Sequence, residues 1–170
     1  MKGLLLATGA LAAALSLAVG LNGALAANHS PGRAAKVAVT SSGLGRVLVD
    51  RRGHTLYLFE KDKHGKSACS AQCASFWPPL ITSGKPLATA GARASLLGTT
   101  KRADGRLQVT YNHHPLYTFV KDTRKGQTNG EEVDAFGAEW YAVSATGAKV
   151  EKNDATSSAG GNPTPGGYGY

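Results

Sequence analysis

The chain has 170 residues and a formal net charge of +8 at pH 7, from 19 Lys and Arg against 11 Asp and Glu. This length suits one domain with its own hydrophobic core. The basic residues are scattered singly or in pairs, which argues against a specific nucleic-acid site and predicts at most an attraction to anionic polymers or a membrane surface.

The N-terminal segment has the pattern of a signal peptide. Lys2 precedes an apolar run over residues 4–21, and residues 24–26 (Ala-Leu-Ala) supply the small side chains that a signal peptidase recognises. We therefore expect residues 1–26 to be removed and the mature protein to be exported, to the periplasm or the extracellular medium.

A membrane anchor is the alternative interpretation of this segment, because the apolar run approaches the roughly 20 residues that span a bilayer. Cleavage is favoured because no basic cluster follows the run and a cleavage site does. No cysteine lies near the cleavage point to carry a lipid. We therefore expect neither a stable transmembrane span nor a lipid anchor in the mature protein.

Composition divides the mature chain into three parts. Residues 27–42 are small and polar and predict an extended lead-in, with a strand at "AKVAVT". Residues 43–150 have the apolar periodicity of a folded unit. Residues 151–170 are rich in Gly, Ser, Pro and Asn and predict a disordered tail, because such a segment cannot bury enough apolar surface to become ordered.

The folded unit contains an internal duplication. The segments "RVLVDRRGHTLYLFEKD" at 46–62 and "RLQVTYNHHPLYTFVKD" at 106–122 share eight identities in 17 positions without a gap. Each has a turn signal between two strand-like arms, which predicts a β-hairpin. The predicted fold is mainly β (β-rich α+β), a single domain of two pseudo-symmetric β-hairpin repeats at about 44–84 and 104–147, with one or two short helices.

Strand alternation predicts which side chains are buried. Tyr57 and Phe59 project to one face of their strand, as Tyr117 and Phe119 do in the second copy, while the leucines project to the other face. We expect the aromatic face to form a core shared by both repeats and the leucine face to be at least partly covered.

The connecting segments carry turn and helix signals. In "DRRG" the Asp and Gly suit a tight turn, but in "YNHHP" His113 stands in the place of Gly53. If that place needs a left-handed backbone, either Asn112 adopts it or His113 is strained. The segment "SACSAQCASFW" predicts a short helix with Ser67 as its N-cap. "EWYAVSATG" predicts a final strand that ends at Gly147.

The chain resembles the bacterial secreted repeat proteins, many of them predicted lipoproteins, that share a Tyr-x-(Phe/Tyr/Trp)-x-x-Asp motif. The resemblance spans about residues 43–147 and is carried by "LVDRRGHTLYLFEKD", "CSAQCASFWPPL", "HPLYTFVKD" and "GAEWYAVS". It implies an exported protein without an established activity. The lipid-attachment cysteine of many relatives is missing, and His113 replaces their usual glycine. The motif residues are Tyr57, Phe59 and Asp62 in the first copy and Tyr117, Phe119 and Asp122 in the second.

The two motif aspartates permit two interpretations. In the structural one, Asp62 and Asp122 each begin a turn and accept nearby backbone N–H groups. In the functional one, the carboxylates converge across a pseudo-twofold axis, with Tyr57 and Tyr117 as hydroxyl donors, and bind a cation or act as acid and base. We favour the structural interpretation, because a motif that recurs at equivalent points of one fold is what a structural requirement predicts.

Cys69 and Cys73 are the only cysteines in the chain. Export favours a disulfide between them, which closes a very short loop and stabilises the protein by about 2 kcal/mol. Redox exchange and metal binding are the alternatives. No second cysteine pair exists to complete a tetrahedral site, although His64 could serve as a third ligand.

His54 and His114 occupy equivalent positions in the repeats and are candidate metal ligands only if the two halves pack face to face. We favour a half-exposed position for both. Trp77 and Trp140, also equivalent, are expected to fill the core and not to form a platform for sugars. No cofactor is expected, because the sequence has no Gly-rich phosphate loop; it also lacks a nucleophile elbow.

These observations rank three functions. The first is an exported binding or structural module of the cell envelope, not an enzyme, in contact with anionic cell-envelope polymers or the membrane surface. The second is a redox or metal-handling envelope protein, linked to copper, zinc or electron transfer, that uses Cys69, Cys73 and nearby histidines. The third is an enzyme built on the paired Asp and Tyr residues.

Overall fold

The structure is a computed structural model that describes residues 33–152. The predicted signal peptide and residues 153–170 of the predicted tail lie outside the described residues. From residue 33 to residue 152 the chain forms ten short strands and little helix, so the fold is mainly β, as the sequence predicts. No helix in this part of the chain has both the length and the apolar character needed to span a bilayer.

The elements follow the order of the two repeats, and the helical elements lie between strands. A short helix, α1 (Gln72–Phe76), and a 3-10 turn (Ala94–Leu96) interrupt the strands. The strands are β1 (Lys36–Ser42), β2 (Gly45–Asp50), β3 (Tyr57–Phe59), β4 (Ile81–Thr82), β5 (Leu87–Ala88), β6 (Leu97–Lys101), β7 (Leu107–Tyr111), β8 (His114–Pro115), β9 (Val133–Ala135) and β10 (Ala138–Ala142).

The strands form three small sheets, and two of these combine strands of both repeats. In the first sheet β1 pairs with β2 antiparallel and with β5 parallel. In the second, β3 of the first repeat pairs with β10 of the second, which also pairs with β9. In the third, β4 of the first repeat pairs with β7 of the second, beside β6 and β8. Because strands cross between repeats, neither repeat completes its sheets alone.

A pseudo-twofold axis passes between Tyr57 and Tyr117. These residues exchange both backbone hydrogen bonds, with N···O distances of 2.9 and 3.0 Å. In each predicted hairpin the second arm pairs with the first arm only as far as Leu56 or Leu116. The N–H groups of these two leucines donate to the carbonyls of Leu48 and Val109 in the first arms. Beyond these leucines each arm turns to the other repeat, so the hairpins are shorter than the sequence predicts.

Two hydrophobic clusters cover the two faces of the motif strands. The leucine face is buried in the first repeat, where Leu56 is 0 % and Leu58 4 % exposed. In the second repeat Leu116 is 0 % but Val120 45 % exposed, so this face is at least partly covered in both copies, as the sequence predicts. The other face belongs to the aromatic cluster, formed from both repeats as the alternation predicts. The rings of this aromatic cluster are Tyr57, Phe59, Trp77, Tyr117, Phe119 and Trp140.

The two hairpin turns have different backbone conformations. In the first, Gly53 has a φ of 86° and its N–H donates to the carbonyl of Asp50 at 3.0 Å. In the second, Asn112 and His113 form a two-residue turn with φ values of 47° and 67°, the signature of a type I′ turn. Both of the alternatives predicted for this turn therefore occur, because Asn112 is left-handed and so is His113.

Replacing His113 by glycine is expected to raise the free energy of unfolding by about 1 kcal/mol, because glycine adopts a left-handed backbone without the steric cost of a side chain. The His113 side chain is exposed, so little packing is lost. Urea denaturation measures the difference. Gly53→Ala, the opposite change in the first turn, should lower stability, and a His113→Gly variant no more stable than the wild type would contradict the expectation.

The prediction that Ser67 caps the helix is wrong. α1 begins at Gln72, and Ala71 occupies its N-cap position without a side-chain hydrogen bond. Ser67 is engaged elsewhere: its Oγ lies 2.7 Å from the hydroxyl of Tyr117 and accepts a hydrogen bond from Arg102. A tertiary contact therefore takes the side chain that local pattern assigned to capping.

The ends of the fold also differ from the prediction. The strand expected within the lead-in is β1, which buries Val37 completely and lies between two other strands, so this segment is an integral part of a sheet. The final strand ends at Ala142 and not at Gly147. Residues 144–147 form a turn, in which the Gly147 N–H donates to the carbonyl of Ser144 at 3.0 Å.

Candidate functional site

The aromatic cluster contains a stack of four rings across the pseudo-twofold axis. Trp77 and Trp140 stack with their centroids 4.0 Å apart. Phe119 stacks on Trp77 at 4.1 Å, and Phe59 stacks on Trp140 at 4.0 Å. Each tryptophan thus packs against the phenylalanine and the tryptophan of the other repeat. Since Trp77 is 1 % and Trp140 0 % exposed, their faces are occupied by neighbouring rings and are closed to a sugar.

Two side-chain hydrogen bonds tie each motif copy to the other. The Tyr57 hydroxyl donates to Asp122 at 2.6 Å, and the Tyr117 hydroxyl donates to Asp62 at 2.8 Å. Each carboxylate also accepts a backbone N–H from the loop that follows it, at 2.7 Å for Asp62 and 2.9 Å for Asp122. The aspartates therefore order their own loops and at the same time hold a tyrosine of the other repeat.

The electrostatics of these pairs follow from burial. Burial raises the pKa of Asp62 to about 6 and also raises the pKa of Asp122. It raises the pKa of both tyrosine hydroxyls above the usual range, so they remain protonated donors. Asp62 lines a cleft of about 360 Å³, whereas Asp122 is 3 % exposed and does not line it. That cleft therefore presents one motif carboxylate. Its other carboxylate, Glu60, is paired with Lys149 at 3.1 Å, so the two motif aspartates do not form an acid–base pair or a shared cation site there.

Glu131 is a buried carboxyl group that the sequence analysis did not identify. It is 5 % exposed, and one oxygen accepts the N–H of Ala142 at 2.7 Å, while the other has no partner within residues 33–152. In the first repeat the residue aligned with Ala142 is Pro79, which has no N–H to satisfy. The N–H of Ala142 is therefore an additional donor of the second repeat, and Glu131 accepts it.

Stability is expected to depend on pH through Glu131. Burial raises the pKa of Glu131 from 4.5 to about 7, so its contribution to stability is complete below pH 4.5 and is lost as the pH rises through 7. Asp62, whose pKa is raised from 3.8 to about 6, acts in the same direction. We expect the free energy of unfolding to fall over this range, by on the order of 2 kcal/mol from Glu131.

Urea denaturation at the two ends of that pH range measures the fall. Glu131→Gln keeps a neutral side chain in place at every pH, so the free energy of unfolding should fall much less with pH. Asp134→Asn changes an exposed carboxylate and should leave the dependence of stability on pH unchanged. A Glu131→Gln variant with the pH profile of the wild type would show that this carboxyl group does not titrate abnormally in the folded protein.

Cys69 and Cys73 form a disulfide in the structure, and they are only 1 % and 7 % exposed. Arg102 from the second repeat braces the loop, since its guanidinium donates to the carbonyl of Cys69 at 2.7 Å and to Ser67 Oγ at 2.8 Å. Its side chain is 6 % exposed. Arg102 has the local sequence pattern of any surface cation, so this role was not predictable from the sequence.

The three candidate histidines lie in different surroundings. His114 lines the cleft of Asp62, and burial lowers its pKa. His54 lies close enough to Asp122 for its charge to act on that carboxyl group. His64 is exposed in the loop after Asp62. In the part of the chain that the structure describes, no three His, Cys, Asp or Glu side chains are grouped so that they could hold a metal ion.

Comparison with known protein families gives a match for this chain. A family model described as "Secreted repeat of unknown function" matches residues 38–81 and again residues 98–144, which together are more than half of the chain. The two matched segments correspond to the interleaved repeats of the structure. No curated protein and no solved structure matches the chain.

Proposed function

The chain belongs to this family of secreted repeats of unknown function, and we propose that it is an exported binding or structural module of the cell envelope without enzymatic activity. Residues 1–26 direct export and are removed, and the mature protein acts in the periplasm or the medium without a lipid anchor. N-terminal sequencing of the exported protein tests this part of the proposal. A first residue of Ala27 supports it, and a retained or lipid-modified N-terminus contradicts it.

The use of the family motif inside the core supports a role other than catalysis. Three motif rings, those of Tyr57, Phe59 and Phe119, contact rings of the other repeat, and the ring of Tyr117 contacts Trp140 of its own repeat. Each motif aspartate accepts a hydrogen bond from a tyrosine of the other repeat. A motif used in this way joins two repeats into one domain. The surfaces outside the core are then available for partners, and an enzyme built on the paired Asp and Tyr is disfavoured.

Co-sedimentation of the exported protein with isolated cell envelopes tests the proposed function. We expect saturable retention, with no change in the mass of the envelope components on incubation. An Asp62→Asn variant that keeps the fold should be retained as well as the wild type, because this carboxylate serves the fold. Absence of saturable retention contradicts the proposal. A folded Asp62→Asn variant that is no longer retained would show that Asp62 takes part in binding and does not serve the fold alone.

A redox role for the cysteine pair is disfavoured by its burial, because thiol–disulfide exchange requires access for an attacking thiolate. We expect the disulfide of the folded protein to resist dithiothreitol and to be reduced readily once urea unfolds the chain. Removing it as Cys69→Ala with Cys73→Ala should cost about 2 kcal/mol, the value for a very short loop. Mass spectrometry after thiol alkylation follows the reduction, and rapid reduction of the folded protein would favour the redox function.

A further inference from the structure

A basic depression lies at one end of the first hairpin. It consists of two adjoining cavities of about 250 and 530 Å³ whose walls share several residues. Its cations come from two segments: Arg33 lies just before β1 and Lys36 is the first residue of β1, while Arg51 and Arg52 lie in the turn after β2. All four side chains are exposed.

Strand register brings these two segments together. Val37 pairs with Asp50 in the antiparallel β1–β2 pair, so Lys36 lies beside Arg51 where the pairing ends. On the other edge of β1, Lys36 pairs with Leu87 of β5, which is 47 % exposed. The wall therefore combines a cationic rim with apolar side chains, namely Leu80, Ile81 and Leu87.

The positive charge of the depression is not neutralised by the described part of the chain. The ion pairs within residues 33–152 involve other cations. Asp50 is the one carboxylate in the wall, and its Oδ1 already accepts the N–H groups of Arg52 and His54, at 2.8 and 3.0 Å. Four cations against one carboxylate leave an excess of positive charge in a concave surface, where the field of the charges is concentrated.

We propose that this depression binds the phosphate groups of an anionic cell-envelope polymer, an inference that rests on the proposed function. Three of the four cations are arginines, whose planar guanidinium donates two parallel hydrogen bonds to a phosphate. The apolar wall fits the CH groups of the polyol or sugar units between the phosphates. A polymer engages several cations through one chain, so it binds more tightly than free phosphate.

Isothermal titration of the exported protein with inorganic polyphosphate tests the proposal. Inorganic phosphate, polygalacturonate and phosphatidylglycerol vesicles are titrated in separate arms, to distinguish a phosphate polymer from free phosphate, a carboxylate polymer and a lipid surface. One variant removes the cations of the depression as Arg33→Gln, Lys36→Gln, Arg51→Gln and Arg52→Gln. The matched control removes four exposed cations elsewhere as Lys66→Gln, Lys101→Gln, Lys121→Gln and Arg124→Gln, so both variants have the same net charge.

We expect the depression variant to bind polyphosphate at least about tenfold more weakly than the wild type and the control variant less than about threefold more weakly, at low salt. The decrease of affinity with salt should become shallower in the depression variant, because fewer phosphate contacts release counterions. Thermal unfolding of both variants should match the wild type, because the replaced side chains are exposed.

Equal weakening in the two variants would show that net charge alone drives binding and would overturn the proposal. Preference for polygalacturonate or for the vesicles over polyphosphate would also overturn it. A wild-type protein that is retained by isolated envelopes but does not bind polyphosphate overturns this inference and leaves the proposed function intact. A wild-type protein that is not retained by envelopes overturns both.

Discussion

Trp77→Ala is expected to lower the free energy of unfolding by about 3 to 5 kcal/mol, the range for large aromatic side chains removed from protein cores. Trp77 is 1 % exposed and stacks on Trp140 and Phe119 at 4.0 and 4.1 Å. It also meets Tyr57 edge to face at 5.4 Å. The backbone of Gly130 closes over the same ring, since a Cβ there would lie 2.8 Å from it. Loss of the indole therefore leaves a cavity bounded by both repeats.

Such a loss is large beside the about 5 to 15 kcal/mol by which natural domains are stable. Urea denaturation followed by circular dichroism measures it. The neighbouring residue provides the control, because Phe76 is 43 % exposed and Phe76→Ala should cost less than about 1 kcal/mol. If the two variants were equally stable, the four-ring stack would not be the core of the domain, and a surface role for the tryptophans would have to be reconsidered.

Asp122→Ala is expected to cost about 2 to 4 kcal/mol, because it leaves buried donors without acceptors. The carboxylate is 3 % exposed and accepts the Tyr57 hydroxyl at 2.6 Å, the Asn129 N–H at 2.9 Å and the Asn129 side-chain amide at 3.1 Å. Its removal unties the loop before Asn129 and leaves the hydroxyl of a fully buried tyrosine without its carboxylate acceptor. The effect should appear as a lower urea midpoint.

A double-mutant cycle with Tyr57→Phe isolates the bond that joins the repeats. We expect a coupling energy of about 1 to 3 kcal/mol between Tyr57 and Asp122, as for contacting charged and polar partners. The pair of Tyr117 with Asp62 should couple less strongly, because Asp62 is only partly buried and Ser67 Oγ also lies within 2.7 Å of the Tyr117 hydroxyl.

Asp134→Ala, at an exposed carboxylate, provides the control for Asp122→Ala and should change stability by no more than about 0.5 kcal/mol. A coupling energy near zero between Tyr57 and Asp122 would mean that the tyrosine and the aspartate stabilise the domain independently. The motif would then not link the repeats, and the support that the core gives to a non-catalytic role would be lost.

The reciprocal pairing constrains any function assigned to the motif. A catalytic or ligand-binding role for Asp62 has to account for Asp122, which makes an equivalent bond but is buried. The basic depression is free of this constraint. Three of its four cations have no basic counterpart in the second half, where Leu96, Tyr111 and Asn112 are aligned with Lys36, Arg51 and Arg52. A function located there therefore belongs to one repeat alone.

Local sequence patterns predicted much of the core. The duplicated segment predicted two related units, and the alternation of side chains predicted that Tyr57 and Phe59 share a buried face. That inference is safe because a strand places alternate residues on opposite faces whichever strand it pairs with. For the turn at Asn112 and His113 the sequence predicted two alternatives, a left-handed Asn112 or a strained His113, because the positive φ of a hairpin turn depends on the local backbone.

Partner choice was not predictable in the same way. The two repeats have nearly the same pattern of apolar and polar residues, so pairing within a repeat and pairing across repeats satisfy that pattern equally well. The structure shows that β3 pairs with β10 and that Tyr57 pairs with Tyr117. Crossing between the repeats buries the tryptophan of each against rings of the other, which a hairpin paired only with itself cannot do.

The sequence by itself thus determined a mainly β, duplicated domain and the set of aromatic residues in its core, because these follow from local periodicity and from the repeat. Only the tertiary structure decided which tyrosine meets which aspartate, which cation braces the disulfide and which carboxyl group is buried. Arg102 and Glu131 look like ordinary surface residues in the sequence. Their solvation and their partners depend on segments that are far away in the chain. The local sequence pattern contains no information about which of these segments will lie beside them in the fold.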